Sequence, residues 1–194
     1  MQNKQMNVLV CGCGGIGSYL AEHLDKLIEL KQIKNSNYTF YDDDTVEIKN
    51  MLYQNFTEND IDDAKSEALS MRYFNLEFLN KRLSKKDLIK LDLVVLCADN
   101  NIIRKEALDA WNRNRIPFID SRANGRAIGI FTSDTENYLQ TIDDSTNSSS
   151  CQNPFQIAKK EIEYGNVVIA AYLAQCLLNF DRKKILPSDF MVNI

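Results

Sequence analysis

The chain of 194 residues is 44% hydrophobic, which is enough to bury one substantial core and favours a single domain. Its 23 basic and 27 acidic residues give a formal net charge of −4, which argues against sequence-independent binding of nucleic-acid phosphates. No apolar run approaches the roughly 20 residues of a membrane span, and segment 1–5 is polar, unlike a signal peptide. We therefore expect a cytoplasmic protein with neither a nucleic-acid nor a membrane partner.

Strand and helix patterns alternate along the chain. The sequence predicts strand 6–11, helix 15–29, strand 37–42, helix 61–74, a short strand at 76–80, strand 92–97, helix 100–113, and strands 116–120 and 126–133. Such alternation predicts an α/β fold, with a Rossmann-like, mostly parallel sheet and helices on both faces. The last two strands are separated only by the turn-like spacer 121–125, which predicts a hairpin or an antiparallel edge.

The first strand runs into a glycine-rich turn, Gly12-x-Gly14-Gly15-x-Gly17, and the first helix follows. Gly12 permits a tight turn, Gly14 lets the backbone approach a phosphate, and Gly17 allows close packing of helix on strand. The helix that begins near Gly15 offers unpaired N–H groups and a partial positive charge at its start. This segment, the glycine turn, therefore predicts a binding site for the phosphates of a nucleotide.

An acidic residue ends the second predicted strand. Asp42 follows Gly17 by 25 residues, where an acid is well placed to accept hydrogen bonds from ribose hydroxyls. Taken alone, a glycine turn of this kind most often indicates NAD or FAD binding, so an NAD-dependent oxidoreductase is one alternative. Against that alternative, no catalytic set of His, Lys and Tyr follows the turn.

The residues after this strand extend the motif. Segment 42–65 is similar to the pattern D-x-D-x-V-x-x-x-N-L-x-R-Q followed by G-x-x-K, and segment 99–104 is similar to D-N-x-x-x-R. The matching residues are Asp42, Asp44, Asn50, Gln54, Lys65, Asp99 and Arg104. The combination, spread in order over residues 7–131, resembles the ubiquitin-activating superfamily of ThiF and MoeB type.

This resemblance implies an activity and its partners. It implies an adenylyltransferase that binds ATP and Mg²⁺ and activates the C-terminal carboxylate of a small ubiquitin-like or sulfur-carrier protein. Adenylation requires the α-phosphorus of ATP to be held in line with the attacking carboxylate, and a metal ion to neutralise charge as pyrophosphate departs.

The resemblance also assigns roles to residues. It places Asp42 and Asp44 on the ribose, Lys65 on the phosphates and Asp99 on Mg²⁺, and it adds Asn50 and Gln54 to the nucleotide site. Structural alternatives stay open for two of them. Asp99 also suits the N-cap of the helix that follows it, and Lys65 also suits a solvated helix surface.

One position departs from the family pattern. The phosphate-binding arginine of the family is Tyr53 here, and a tyrosine donates one hydrogen bond but cannot neutralise a triphosphate. Arg122 and Arg126 follow a strand end, and Arg122 is the better placed to restore the charge; a polar hairpin turn is the alternative. For Arg104, a helix-surface salt bridge and a substrate contact are equally favoured. The loss at position 53 favours a second hypothesis, a non-catalytic nucleotide-binding or interaction module.

The five cysteines do not indicate a metal site. Zinc-bearing relatives carry two Cys-x-x-Cys pairs and this chain has none, so no structural zinc is expected. Cys151 is the cysteine in a polar setting, which makes it either a candidate thioester-forming thiol or a remnant of a zinc site.

The last third of the chain is predicted to contain a loop and a helix. Segment 133–153 is rich in Ser, Thr, Asn and Asp, which predicts a flexible crossover loop. By resemblance it guides the partner's C-terminal tail across the active site, and a solvated linker is the alternative. Segment 154–181 is predicted to be one long helix, whose second half is apolar over more than one face and therefore buried between the sheet and another surface. A second subunit would supply that surface, so a homodimer is expected.

Overall fold

A computed structural model describes residues 5–142, 152 and 154–194. The strands are β1 (Met6–Cys11), β2 (Ser36–Asp42), β3 (Glu77–Asn80), β4 (Leu93–Leu96), β5 (Phe118–Asn124), β6 (Ala127–Thr132) and β7 (Phe190–Asn193). They form one sheet in the order β3-β2-β1-β4-β5-β6-β7. The helices are α1 (Gly17–Glu29), α2 (Lys65–Ser70), α3 (Asn101–Asn114), α4 (Pro154–Lys159) and α5 (Gly165–Lys183), with 3₁₀ turns at Ile48–Leu52, Glu58–Asp60 and Tyr138–Thr141.

The first five strands run parallel. β1 pairs with β2 and β4, β2 pairs with β3, and β4 pairs with β5. All four residues of β4 are buried, as expected for a strand that is covered on both faces of a parallel sheet. β5, β6 and β7 are antiparallel to their neighbours. The predicted Rossmann-like sheet with an antiparallel edge is confirmed.

Two hydrophobic cores lie on opposite faces of the sheet. On one face, α1 and α5 pack together over β1 and β5, where Leu20, Leu24 and Leu173 are fully buried. On the other face, α3 and the 3₁₀ turn Tyr138–Thr141 cover β4 and β5, where Phe118 and Tyr138 pack ring against ring. Because strand side chains alternate between the faces, β1, β4 and β5 each contribute buried residues to both cores.

Gly17 explains how α1 can begin so close to β1. A Cβ atom at this position would lie 1.8 Å from the carbonyl oxygen of Gly12, an impossible contact with backbone. The role predicted for Gly17, close packing of helix on strand, is therefore the one that the geometry supports.

Two helices are shorter than their sequence patterns predict. The helix predicted over 61–74 is reduced to α2, because Asp62 has a positive φ of 71° and Ala64 is extended and bridges to Thr45. The prediction of a single helix over 154–181 is also wrong, since the chain forms α4 and α5 with a break between them. Lys160 adopts a left-handed φ of 57°, which ends α4, and Gly165 restarts the helix where a Cβ would lie 2.0 Å from the carbonyl oxygen of Gly125.

The segment predicted as a crossover loop begins with folded chain. Tyr138 and Ile142 are buried in the core on the α3 face, so residues 133–142 are packed against the domain. Residues 143–151 and 153, including Cys151, lie outside the described residues.

The sequence analysis did not predict the short edge strand β7. Among the described helices, none has the length and apolar character that crossing a lipid bilayer requires.

Candidate nucleotide site

A cleft of about 210 Å³ lies at the carboxyl ends of β1, β2 and β4. This is the edge of an open α/β sheet at which ligands collect. We call this cleft the main cleft. The predicted site residues that line it are Gly12, Gly14, Gly15, Asp42, Asp44, Asn50, Gln54, Lys65 and Asp99. Motifs separated by up to 87 positions in sequence, from Gly12 to Asp99, thus meet at one place.

The glycine turn presents backbone to the cleft. Gly12 has a φ of +103°, and a Cβ there would come within 3.0 Å of backbone atoms of Cys97 and Ala98. At Gly14 the nearest atom to such a Cβ would be the Gln54 Nε2, 3.9 Å away, which is an ordinary van der Waals distance, so crowding within the chain does not explain this glycine. Among the described residues, no side chain caps the start of α1 and no acid lies in its first turn. The turn and the helix start therefore suit an anionic group.

Asp42 braces the glycine turn. Its Oδ2 accepts a hydrogen bond from the backbone N–H of Cys13 at 2.6 Å, and its Oδ1 accepts one from the N–H of Asp44 at 2.8 Å. Burial raises the pKa of Asp42, an effect that these two donors and Lys65 oppose. Asp42 therefore holds the turn and the second strand end together, and its side chain still lines the main cleft.

Lys65 is a buried cleft residue, not a solvated one. It is 7% exposed, and its Nζ lies 3.0 Å from the Asp44 Oδ2. Burial by itself would lower the pKa of Lys65, but the carboxylates of Asp42 and Asp44 more than offset it and raise the pKa. The buried side chain lines the main cleft, so the solvated alternative is not supported.

The segment after Asp44 contributes two buried amides. The Asn50 Oδ1 accepts a hydrogen bond from the Glu47 N–H at 2.8 Å, which gives this side chain a structural role in the 3₁₀ turn. The Gln54 Oε1 is buried and has no hydrogen-bond partner within the described part of the chain. A buried polar atom without a partner carries a desolvation cost that a ligand can remove. Gln54 is thus the amide best suited to contact a ligand.

Asp99 does not cap the helix that follows it. The N-cap of α3 is Asn100, whose Oδ1 accepts a hydrogen bond from the Ile102 N–H at 2.9 Å. Asp99 instead lines the main cleft, and it also lines a neighbouring side cavity of about 140 Å³ that includes Leu83 and Ile103. Capping therefore does not account for Asp99.

The carboxylates of the main cleft are suited to bind Mg²⁺ only together with a phosphate ligand. In the described residues, no group of three or more His, Cys, Asp or Glu side chains is arranged to hold a metal ion. Mg²⁺ commonly takes one or two protein carboxylates together with substrate phosphate oxygens and water. Asp99 beside an anion-binding turn fits that mode of binding.

The structure places Arg122 away from the main cleft, which contradicts the expectation that it restores the missing charge there. The Arg122 Nε donates to the Asp120 Oδ2 at 2.7 Å, and its Nη1 donates to the carbonyl oxygen of Thr141 at 2.6 Å. Arg104 also pairs with Asp120, at 3.2 Å, and donates to the Ala98 carbonyl at 3.1 Å. Both arginines are therefore bound within a buried cluster on the α3 face.

Two residues that line the cleft, and one that holds its walls, were not singled out by the sequence analysis. Glu47 and Lys49 line the main cleft. Asn166, at the start of α5, donates from its Nδ2 to the carbonyl oxygens of Gly15 at 3.0 Å and Tyr53 at 2.6 Å. For Lys49, the available sequence signal was its position next to Asn50 of the motif. Asn166 had no such signal, because it is far in sequence from the motif residues.

A glycine turn at a helix start, a cleft at the carboxyl ends of parallel strands and acids beside that cleft define a Rossmann-like nucleotide-binding fold. The chain belongs to the ThiF family, whose model matches residues 2–187. No curated protein matches the sequence.

Solved structures match over nearly the whole chain. E. coli MccB with ATP aligns with a TM-score of 0.66 and 19% identity, covering 98% of this chain and 64% of MccB. The microcin C7 biosynthetic enzyme MccB with N-formylated MccA gives a TM-score of 0.67 at 20% identity, over 98% and 65% of the two chains. PaaA gives 0.65 at 16% identity, over 99% and 62%. The chain thus has the same fold as these proteins and spans less than two thirds of their length.

Proposed function

We propose that the protein is an ATP-dependent adenylyltransferase that activates the C-terminal carboxylate of a small ubiquitin-like or sulfur-carrier protein. The observation that carries this proposal is the main cleft, where the glycine turn, the buried Lys65, the unpartnered Gln54 Oε1 and Asp99 meet. The ThiF family, and the MccB structures that hold ATP and MccA, support a nucleotide and a partner on this fold.

The reaction is a substitution at the α-phosphorus of ATP. A carboxylate oxygen of the partner forms a bond to the α-phosphorus, the bond from that phosphorus to the bridging oxygen breaks, and pyrophosphate leaves with the bonding electrons. The glycine turn and Lys65 bind and orient the phosphates, and Asp42 with Asp44 orients the ribose. Asp99 would hold Mg²⁺, which neutralises charge on the departing pyrophosphate.

One observation favours a second function. Tyr53 lines the main cleft in place of the family arginine, and its hydroxyl cannot carry positive charge at neutral pH. A chain that binds nucleotide but does not turn it over would be an interaction module derived from this fold. Cys151 lies outside the described residues, so its role in a thioester stays a prediction.

Partner-dependent ATP–pyrophosphate exchange tests the proposal. We expect exchange when the protein is mixed with a small protein encoded beside its gene, above all one that ends in Gly-Gly. Calorimetry is expected to show tighter binding of ATP than of NAD. Tighter NAD binding would contradict the proposal, and ATP binding without exchange for any candidate tail would favour the interaction module.

We also propose a homodimer. One face of α5 is exposed and carries Val168 and Tyr172, and Met191 on β7 is 68% exposed. Apolar residues grouped on one side of a domain suit burial against a second copy. Light scattering is expected to give twice the mass of the chain, and a monomer mass at micromolar concentration would contradict this proposal.

A further inference from the structure

We infer that Lys49 contacts the phosphates of the bound nucleotide and supplies the positive charge that Tyr53 lacks. This inference rests on the proposed function, because it requires an anionic nucleotide in the main cleft. It names a contact residue of the same site that the sequence motif leaves unassigned.

The charges around the cleft create the need for such a residue. Among the described residues that line it, four are acidic (Asp42, Asp44, Glu47 and Asp99) and two are basic (Lys49 and Lys65). Four negative and two positive charges give the lining a net charge of −2, which opposes binding of a triphosphate. The charge of Lys65 is already matched by Asp44 at 3.0 Å and by the nearby Asp42.

Lys49 is the second cation and is bound far less firmly. Its Nζ lies 2.8 Å from the Glu47 Oε2, and the two side chains are 56% and 59% exposed. An exposed ion pair of this kind contributes little free energy, so Lys49 can exchange Glu47 for a phosphate at little cost. The hydrogen bond to Glu47 raises the pKa of Lys49, so its amino group is charged at neutral pH.

Position and chemistry both favour Lys49 over its neighbours. Lys49 lies in the 3₁₀ turn Ile48–Leu52, four residues before Tyr53, and both side chains line the main cleft. A lysine is a compact point charge on a flexible stem and commonly binds phosphate. Arg122 is unsuited to the task because Asp120 and Thr141 hold its guanidinium elsewhere.

The test compares two lysine variants by calorimetry with ATP and with AMP. Lys49→Ala is expected to weaken ATP binding about tenfold, as for loss of a charge-assisted bond, and AMP binding by less than about threefold. The control is Lys26→Ala, which removes an equally exposed Lys–Glu pair, also 2.8 Å long, from α1 outside the cleft. It is expected to leave both affinities unchanged. Adding Tyr53→Arg to Lys49→Ala is expected to recover most of the lost ATP affinity.

The outcomes separate this inference from the proposed function. Wild-type protein that binds ATP while Lys49→Ala binds it equally well would overturn the role of Lys49 alone. Equal losses for ATP and AMP would do the same, because they would indicate a general disturbance of the cleft. Wild-type protein that binds no ATP would overturn both.

Discussion

Asp99→Ala is expected to reduce Mg²⁺-dependent ATP–pyrophosphate exchange by more than about a hundredfold. Without its ligand the metal ion no longer stabilises the charge of the transition state, which raises the activation free energy by several kcal/mol. Asp99 lines both the main cleft and the side cavity, so a metal ion held by Asp99 would lie beside the proposed nucleotide site. The free energy of unfolding should change by no more than about 0.5 kcal/mol, since Asp99 is not the cap of α3. Exchange assays and urea unfolding measure the two quantities.

Asn100→Ala is the matched comparison, one position along the chain. Asn100 caps α3 through its bond to the Ile102 N–H, so its loss is expected to lower the free energy of unfolding by about 1 kcal/mol. The two neighbouring variants therefore separate a cap from a ligand. An Asp99→Ala variant that kept its exchange activity and lost that much stability would show that Asp99 is structural.

The parts of the site that the sequence predicted are those that local chain geometry determines. The glycine turn depends on a strand and a helix that are adjacent in sequence, and Gly12 needs its positive φ wherever this turn occurs. Asp42 ends β2 and Asp99 lies three residues after the end of β4, so the topology of the parallel strands brings both to the same sheet edge. Lys65 was placed by its spacing in the motif, although its burial could not be read from a helix pattern.

The parts that the sequence did not predict depend on contacts between distant segments. The prediction of one helix over 154–181 rested on the apolar second half of that segment, but Gln152 hydrogen-bonds the backbone of Glu163 and Asn166 reaches the loop of Tyr53, which requires the chain to turn between α4 and α5. Likewise, Arg122 follows a strand end as predicted, yet its partners are Asp120 and Thr141. No local pattern reports these pairings.

The buried cluster around Asp120 connects the fold to the site. Asp120 is fully buried, and its carboxylate accepts hydrogen bonds from Arg104, Arg122 and the Tyr138 hydroxyl, the last at 2.8 Å. Burial, and then the nearby charge of Asp120, raise the pKa of Tyr138, so this hydroxyl keeps its proton and donates a hydrogen bond to the carboxylate. Arg104 in turn donates a hydrogen bond to the carbonyl oxygen of Ala98, the residue before Asp99. The cluster therefore fixes the backbone that carries the proposed metal ligand.

Asp120→Asn is accordingly expected to lower the free energy of unfolding by about 3–5 kcal/mol, because it leaves two largely buried guanidinium groups without their counter-charge. Urea unfolding measures the loss. The control is Asp109→Asn, which removes a 43% exposed carboxylate that pairs with Arg113 and is expected to cost less than about 1 kcal/mol. In the folded fraction, Asp120→Asn should also weaken ATP binding, since Arg104 then no longer holds Ala98 in place. A stability loss that matches the Asp109→Asn control would mean that the cluster contributes no more than an exposed ion pair and does not hold the site.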